Sequence, residues 1–187
     1  VKTPLSSLRW NGQLTELSSS GKIPIRLMSP TTVSISPEQA SLGQTTFSIS
    51  DGHIHIDQLQ WTPQDWKTRG NFTGIALLPG EHPELKQPFL HLGGHWDFTS
   101  NTQLTGNLHI HREKGDWYLP GEVPQPIGLE IMQLKLAARD EKIAGKFELI
   151  SQYIGTADAH LTLPIQQSNH RWSISEHAPL SGEVIAN

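Results

Sequence analysis

The sequence predicts an all-β fold: a curved, twisted, mostly antiparallel sheet with one apolar face. Apolar and polar residues alternate through roughly a dozen short segments, the period-2 pattern of strands with one buried face. In two of these segments histidines alternate with Ile54 and Ile56 or with Leu108 and Ile110. Ser, Asn, Gly and Pro separate the segments at intervals of roughly 8 to 14 residues, a spacing typical of antiparallel meanders.

A five-residue phrase with glycine at its centre recurs in the predicted strands. An apolar residue stands two positions before and two after each glycine, in the segments Trp10 to Leu14, Leu92 to Trp96, Leu104 to Leu108, Ile143 to Phe147 and Leu180 to Val184. Because strand side chains alternate between faces, the three fixed positions share a face and the glycine leaves a gap in it. Glycine inside a strand marks a bend or a close approach. The phrase therefore predicts a sheet that curves around a notched apolar groove.

The composition is consistent with a single β domain covering residues 1–187. Hydrophobic residues make up 35% of the chain and charged residues 17%, which suits one apolar face better than a thick two-sided core. The net charge of −4 and the scattered Lys and Arg residues argue against nucleic acid as a partner. The absence of cysteine excludes disulfides and thiolate metal sites. No apolar run reaches the ~18 residues of a membrane helix, and the start at Val1 has no signal-peptide layout, so we expect an internal piece of a longer chain.

A few segments predict turns, loops or an ambiguous element. The dipeptides Ser36-Pro37 and Thr62-Pro63 each combine a cap residue with a following proline and predict a single helical turn. Residues 129–138 fit both a helical and a strand pattern, and we favour a strand. Proline and glycine are concentrated at 78–88 and at 120–128, which we predict to be loops within the β domain.

The histidines raise the alternative of a metal-dependent β-barrel enzyme. Two alternating pairs, His53 with His55 and His109 with His111, resemble the paired imidazoles of β-strand metal sites. However, each pair lies in the polar phase of its segment, as do His91 and His95, which predicts solvent-facing side chains. The sequence also lacks a nucleophile elbow, a phosphate-binding glycine loop and an H-E-x-x-H motif. We therefore predict a non-enzymatic protein without a cofactor or metal, and keep the four-histidine site as an alternative.

Phrases in the second half of the chain are similar to repeats of a known family. They run Leu104 to Ile110, Gly115 to Leu119, Ile127 to Leu129, Leu134 to Leu136 and Ala178 to Val184. In this order they resemble the TamB family, the inner-membrane subunits of the bacterial translocation and assembly module, which belong to the AsmA-like bridge proteins. The resemblance implies a sheet curled into an open half-pipe, or β-taco, with an apolar interior.

The same resemblance implies a location, partners and a role. The full-length protein would be anchored in the inner membrane of a Gram-negative bacterium and would extend through the periplasm. It would assist outer-membrane protein assembly, including autotransporter secretion, or phospholipid transport between the membranes. Its partners would be a BamA-type β-barrel, docked by regions outside this chain, and outer-membrane protein strands or phospholipid acyl chains in the groove. Sheet edges near Leu8 to Leu14 and Leu180 to Ile185 would allow self-association.

The groove hypothesis assigns the apolar phase of the strands to the inside. The predicted groove residues are Trp10, Leu14, Ile23, Ile25, Val33, Ile35, Phe47, Ile54, Ile56, Trp96, Leu104, Leu108, Ile110, Phe147, Leu149, Leu161 and Trp172. The same residues would fill the core of a closed β-sandwich, such as a carbohydrate-binding or adhesion module, because a sandwich needs the same alternation. Alternation alone does not separate the two hypotheses.

Overall fold

The computed structural model describes residues 9–21, 23–77, 90–119, 125–168, 171–175, 179 and 181–187. These residues form β-strands, turns and bends, and no helix occurs among them. The strands of the first half are β1 (Trp10–Leu14), β2 (Ser18–Ser19), β3 (Ile25–Leu27), β4 (Thr31–Ile35), β5 (Ala40–Leu42), β6 (Thr45–Ile49), β7 (Gly52–Trp61) and β8 (Trp66–Leu77). Those of the second half are β9 (Leu90–Ser100), β10 (Leu104–Gly115), β11 (Tyr118–Leu119), β12 (Gln125–Pro126), β13 (Leu129–Arg139), β14 (Lys142–Ser151), β15 (Gly155–Ser168), β16 (Arg171–Ile174) and β17 (Ser181–Ala186).

Fifteen strands join one antiparallel sheet with forked margins, so the all-β antiparallel prediction is confirmed. The central path runs β7-β8-β9-β10-β13-β14-β15. At one margin β7 pairs with both β5 and β6, and at the other β15 pairs with both β16 and β17. No ladder connects the two margins within the described residues, so the sheet is not closed into a barrel. β11 and β12 form a separate two-stranded ribbon.

The predicted edge segments lie at these margins. Within the described residues, β1 pairs only with β4, and β17 pairs only with β15. Leu8 and Leu180 themselves lie outside that part of the chain. The forks create two further edges, because β2 and β16 each have a single described partner, β3 and β15 respectively.

The ambiguous segment at 129–138 is the strand β13, as we favoured. It is paired with β10 on one side and with β14 on the other. Two ladders of backbone hydrogen bonds, together with the apolar face they complete, outweigh the helix propensity of its Leu, Lys and Ala residues.

The two predicted helical turns are hairpin turns, so that prediction is wrong. Ser36 Oγ accepts the N–H of Gln39 at 3.1 Å, and Thr62 Oγ1 accepts the N–H of Asp65 at 2.9 Å. In each turn the N–H of the first residue also donates to the carbonyl of the last, at 2.7 Å, and the chain reverses into the next strand. The capping side chain makes the expected bond, but that bond serves a tight turn as well as a helix start.

The predicted loop at 120–128 needs a correction. Gln125–Pro126 forms β12 and pairs with Tyr118–Leu119, so part of the predicted loop is a short strand. Residues 120–124, and the loop predicted at 78–88, lie outside the described residues.

The buried apolar residues collect at the two ends of the long strands. The Leu90 cluster comprises Leu90, Ile127 and Leu129, with Leu77, Leu92, Met132 and Leu149 packed against them. The Ile165 cluster comprises Leu104, Ala138 and Ile165, with Trp66, Phe98, Ile143 and Trp172 packed against them. The first cluster takes residues from the end of β8 and the start of β9, and the second takes the opposite ends of the same strands. The middle of the sheet contributes no member to either cluster.

Candidate functional site

Cross-strand register places the large apolar side chains on one side of the sheet, the apolar face. Directly opposite residues of an antiparallel pair point to the same side, so a row of partners can be followed from strand to strand. One row contains Ile56, Gly70, Trp96, Leu108, Leu136, Gly145, Leu161 and Gly182. The adjacent row contains Ile54, Phe72, Gly94, Ile110, Leu134, Phe147, Ala159 and Val184. No charged or polar residue interrupts either row, so an apolar surface crosses the eight strands from β7 to β17.

All but one of the predicted groove residues lie in strands and share this face. The exception is Ile23, which lies in a bend before β3 and is 52% exposed. The register from β1 through β4 and β5 to β7, and from β3 through β6 to β7, brings the first-half residues to the same side as Ile54 and Ile56. The residues on the face are Trp10, Leu14, Ile25, Val33, Ile35, Phe47, Ile54, Ile56, Trp96, Leu104, Leu108, Ile110, Phe147, Leu149, Leu161 and Trp172.

Leu59 and Trp61 also lie on the apolar face, although alternation from Ile56 places them on the other side. The β7–β8 register shifts between Ile56 and Gln58, which leaves one extra residue in β7. Beyond such a bulge, the residues that point to each face change from even-numbered to odd-numbered positions or the reverse. Leu59 and Trp61 therefore pair with β8 residues of the apolar face. The bulge has no local sequence signature, and counting every second residue fails across it.

The glycines do not leave open notches, contrary to the prediction. Each lies beside a large apolar side chain that covers it. A Cβ atom on Gly70 would lie 2.6 Å from the Trp96 indole, and one on Gly94 would lie 2.6 Å from the Phe72 ring. Leu136 covers Gly145 in the same way, with its Cδ2 atom 3.1 Å from the Cβ position. Because glycine has no side chain, the neighbouring aromatic ring can pack flat against the backbone of the sheet.

At one end of the strands the sheet bends over its own apolar face. Trp172 in β16 donates its indole N–H to Ser100 Oγ in β9 at 2.8 Å, and Ser100 is only 2% exposed. Five strand spacings separate β9 from β16 along the sheet, which is about 24 Å if the sheet were flat. The hydrogen bond therefore requires the β15–β16 end to fold back across the face, and Ile165 packs on Leu104 beneath it.

At the other end Asp116 fixes a short segment over the face. Its carboxylate accepts the N–H groups of Trp117 at 2.8 Å and of Gly128 and Leu129 at 3.0 Å. Ile127, at this segment, is 3% exposed and packs in the Leu90 cluster. No sequence pattern singles out Asp116 as the residue that organises this end.

Between the two ends the apolar side chains are only partly covered. Trp96, Leu108, Ile110 and Phe147 are half-buried, and Leu161 is 44% exposed. The buried apolar side chains of the described residues are Leu27, Leu90, Leu104, Ile127, Leu129, Ala138 and Ile165. The centre of the apolar face is therefore a half-open hydrophobic band rather than a filled core.

The opposite side of the sheet, the polar face, holds the histidines of the metal alternative. His55 accepts or donates a 2.8 Å hydrogen bond with Thr46 Oγ1 and lies 3.2 Å from the Asp57 carboxylate. His53 and His55 are in β7 and His109 and His111 in β10, three strand spacings apart, or about 14 Å. The two pairs therefore do not converge, and within the described residues no three His, Cys, Asp or Glu side chains are arranged to hold a metal ion.

Three histidines of β9 and β10, namely His91, His109 and His111, are less solvated than predicted, whereas His95 is exposed as predicted. The His109 ring lies 5.4 Å from that of His95 and 5.2 Å from that of His111. Burial lowers the pKa of His109 below its ordinary value, and the charges of His111, Lys135 and His95 lower it further, against an opposing hydrogen bond to Gln133. The Nδ1 atoms of His91 and His111 are buried without a hydrogen-bond partner, a further departure from the solvent-facing prediction.

Comparison with known proteins finds no family model, no curated protein and no solved structure that matches this chain. In the part of the chain that the structure describes, no helix has the length and apolar character needed to cross a membrane.

Proposed function

We propose that this chain is a non-enzymatic hydrophobic groove segment of a TamB-type, periplasm-spanning protein. In this proposal the sheet is a half-pipe, or β-taco, with the apolar face inside. The observation that carries it is the half-open band, which crosses eight strands while apolar clusters cover both strand ends. A closed sandwich would bury the central residues of its apolar face against a facing sheet, whereas Trp96, Leu108 and Phe147 are only partly buried and Leu161 is exposed.

The chemistry of the band fits acyl chains and the apolar side chains of unfolded outer-membrane strands. Its two central rows contain only aliphatic residues, aromatic residues and covered glycines. Burying a methylene stabilises a complex by about 0.8 kcal/mol, so half-covering a ~16-carbon tail contributes roughly 6 kcal/mol. That is enough to retain a lipid without a head-group pocket. In the full-length protein, such a segment would carry cargo toward the outer membrane, and a BamA-type barrel would bind elsewhere.

Site-specific photo-crosslinking tests this function with a matched pair of adjacent residues. Leu108 lies between Trp96 and Leu136 on the apolar face, and His109 lies between His95 and Lys135 on the polar face. A photo-reactive residue at 108 should give adducts with phospholipid acyl chains or outer-membrane proteins in the cell envelope, and one at 109 should give neither of these. Equal yields of these adducts at both positions would overturn the groove, and their absence at 108 in a folded protein would favour a filled sandwich.

A further inference from the structure

Two pairs of like charges face each other across β13 and β14 on the polar face. Lys135 lies directly opposite Lys146, and Arg139 lies directly opposite Lys142. All four side chains are exposed, and no carboxylate of the described residues lies within ion-pair distance of them. Like charges directly opposite one another destabilise a sheet, and the chain as a whole carries a net charge of −4. These cations therefore lower the stability of the β13–β14 pair, and they form a positively charged region in a chain whose net charge is negative.

The two pairs enclose a floor of small residues. Ala137 lies opposite Ala144, one row from Lys135 and Lys146 on one side and one row from Arg139 and Lys142 on the other. A depression of about 460 Å³ extends over the first pair and one of about 730 Å³ over the second. Both are lined by the two alanines and by Asn107. The shared residues thus join the two depressions into one trough, with Lys135 and Lys146 at one end and Arg139 and Lys142 at the other.

Imidazoles extend the first cationic pair along its row. His95, His109, Lys135, Lys146 and His160 are successive register partners on five strands, and all five line the smaller depression.

Acidic side chains lie at the margins of the trough. Glu148 and its register partner Asp158 are on the far side of the Lys146 row from the alanines, and Glu148 accepts a 2.5 Å hydrogen bond from Gln133. Asp140 is the acid that borders the larger depression, in the β13–β14 turn. Asp97 is the β9 partner of Asn107, and Glu183 is the β17 partner of His160, but neither lines a depression.

We infer that this trough binds a ligand carrying two or more phosphate groups. A phosphate group presents up to two negative charges and several acceptor oxygens, which match two closely paired cations better than a single carboxylate does. The two cation pairs are four residues apart along the strands, about 13 Å, and their long side chains can converge over the alanine floor. The site is on the opposite face from the proposed groove and does not depend on it.

Titration of the purified protein with sodium tripolyphosphate tests the inference by calorimetry at constant ionic strength. We expect saturable binding that weakens at least tenfold in the Lys135→Gln/Lys146→Gln variant and in the Arg139→Gln/Lys142→Gln variant. All four side chains are exposed, so these changes should leave the fold intact. The matched control is Lys67→Gln/Arg69→Gln, which removes two exposed cations from the polar face of β8, where the β9 partners are Thr99 and Asp97. It should change the affinity less than twofold.

A second arm distinguishes a soluble phosphorylated ligand from a phospholipid head group. The probes are phosphatidylcholine vesicles with and without cardiolipin, a lipid with two phosphate groups, in a flotation assay. Tripolyphosphate binding without vesicle binding would identify a soluble ligand, and cardiolipin-dependent flotation lost in the Lys135→Gln/Lys146→Gln variant would identify a head group. Absence of both, or an equal loss of binding in the Lys67→Gln/Arg69→Gln control, would overturn the inference.

Discussion

Replacing Gly70 with alanine should destabilise the protein, whereas the same change at Gly145 should not. Both glycines belong to one row of the apolar face, but their surroundings differ. At Gly70 the new methyl would lie 2.6 Å from two atoms of the Trp96 ring and closer still to the His55 carbonyl oxygen. At Gly145 the nearest atom is a methyl of the flexible Leu136 side chain at 3.1 Å, and the next is at 3.8 Å.

The magnitudes follow from these contacts. Overpacking costs about 1–3 kcal/mol, and we expect about 3 kcal/mol at Gly70 because both a ring and a backbone atom must move. At Gly145, alanine restricts the unfolded chain and contributes about 0.5 kcal/mol of stability. With a urea slope of about 2 kcal/mol/M, the unfolding midpoint should fall by about 1.5 M for Gly70→Ala and stay within about 0.3 M of wild type for Gly145→Ala.

Urea unfolding followed by far-ultraviolet circular dichroism measures both midpoints. Equal midpoints for the two variants would refute the argument that neighbouring side chains cover these glycines to different degrees. In a double-mutant cycle, Gly70→Ala should cost less in a Trp96→Leu background than in the wild type, because that background lacks the ring atoms but keeps the His55 carbonyl in place.

Three further measurements address the ends of the sheet and the polar face. Ser100→Ala removes the acceptor of the Trp172 indole N–H and should lower the free energy of unfolding by about 1–2 kcal/mol. Asp116→Asn replaces one carboxylate oxygen by a donor facing backbone N–H groups; it should cost about 2 kcal/mol and speed hydrogen exchange of the Gly128 and Leu129 amides. An NMR titration should give His109 a pKa below its ordinary value, and Lys135→Gln should raise it. Because the folded state resists protonation of His109, its contribution to stability should decline as the pH falls below about 6.5.

Exposed positions on the same sheet serve as controls. Ser173→Ala and Asp65→Asn alter exposed residues and should leave the unfolding midpoint nearly unchanged. Lys67→Gln removes a cation from another strand of the polar face and should not move the His109 pKa. A normal or raised His109 pKa in the wild-type protein would contradict the effect of burial. An unchanged free energy of unfolding in Ser100→Ala would contradict a stabilising role for the hydrogen bond that holds β16 over the apolar face.

The strand content and the assignment of faces could be predicted because they depend on local alternation. Leu108 and His109 are on opposite sides of the sheet as their phase indicates, and β13 forms a strand despite its helix-favouring residues. The predictions failed where a local pattern has two outcomes. The Ser36 hydroxyl makes a capping bond in a hairpin turn instead of a helix, and the extra residue in β7 moves Trp61 to the apolar face.

Features that depend on pairing between distant strands could not be predicted from one chain. The covering of Gly70 by Trp96 requires the β8–β9 register, and the contact of Trp172 with Ser100 requires the sheet to bend across five strand spacings. Likewise, Lys135 and Lys146 are 11 positions apart in sequence, and only the β13–β14 register sets them side by side. Alternation fixes which side a residue faces and leaves open which residue it meets.

The covered glycines also bear on how the strands find their alignment. A slip of two residues between β8 and β9 would keep every apolar side chain on its own side, so hydrophobicity alone does not oppose it. It would, however, bring Phe72 opposite Trp96 or Gly70 opposite Gly94, instead of the observed partnering of Gly70 with Trp96 and Phe72 with Gly94. One slip crowds two rings together and the other leaves a void. Placing each aromatic residue opposite a glycine therefore selects one alignment of β8 and β9 among those that would all keep the apolar residues on the same face.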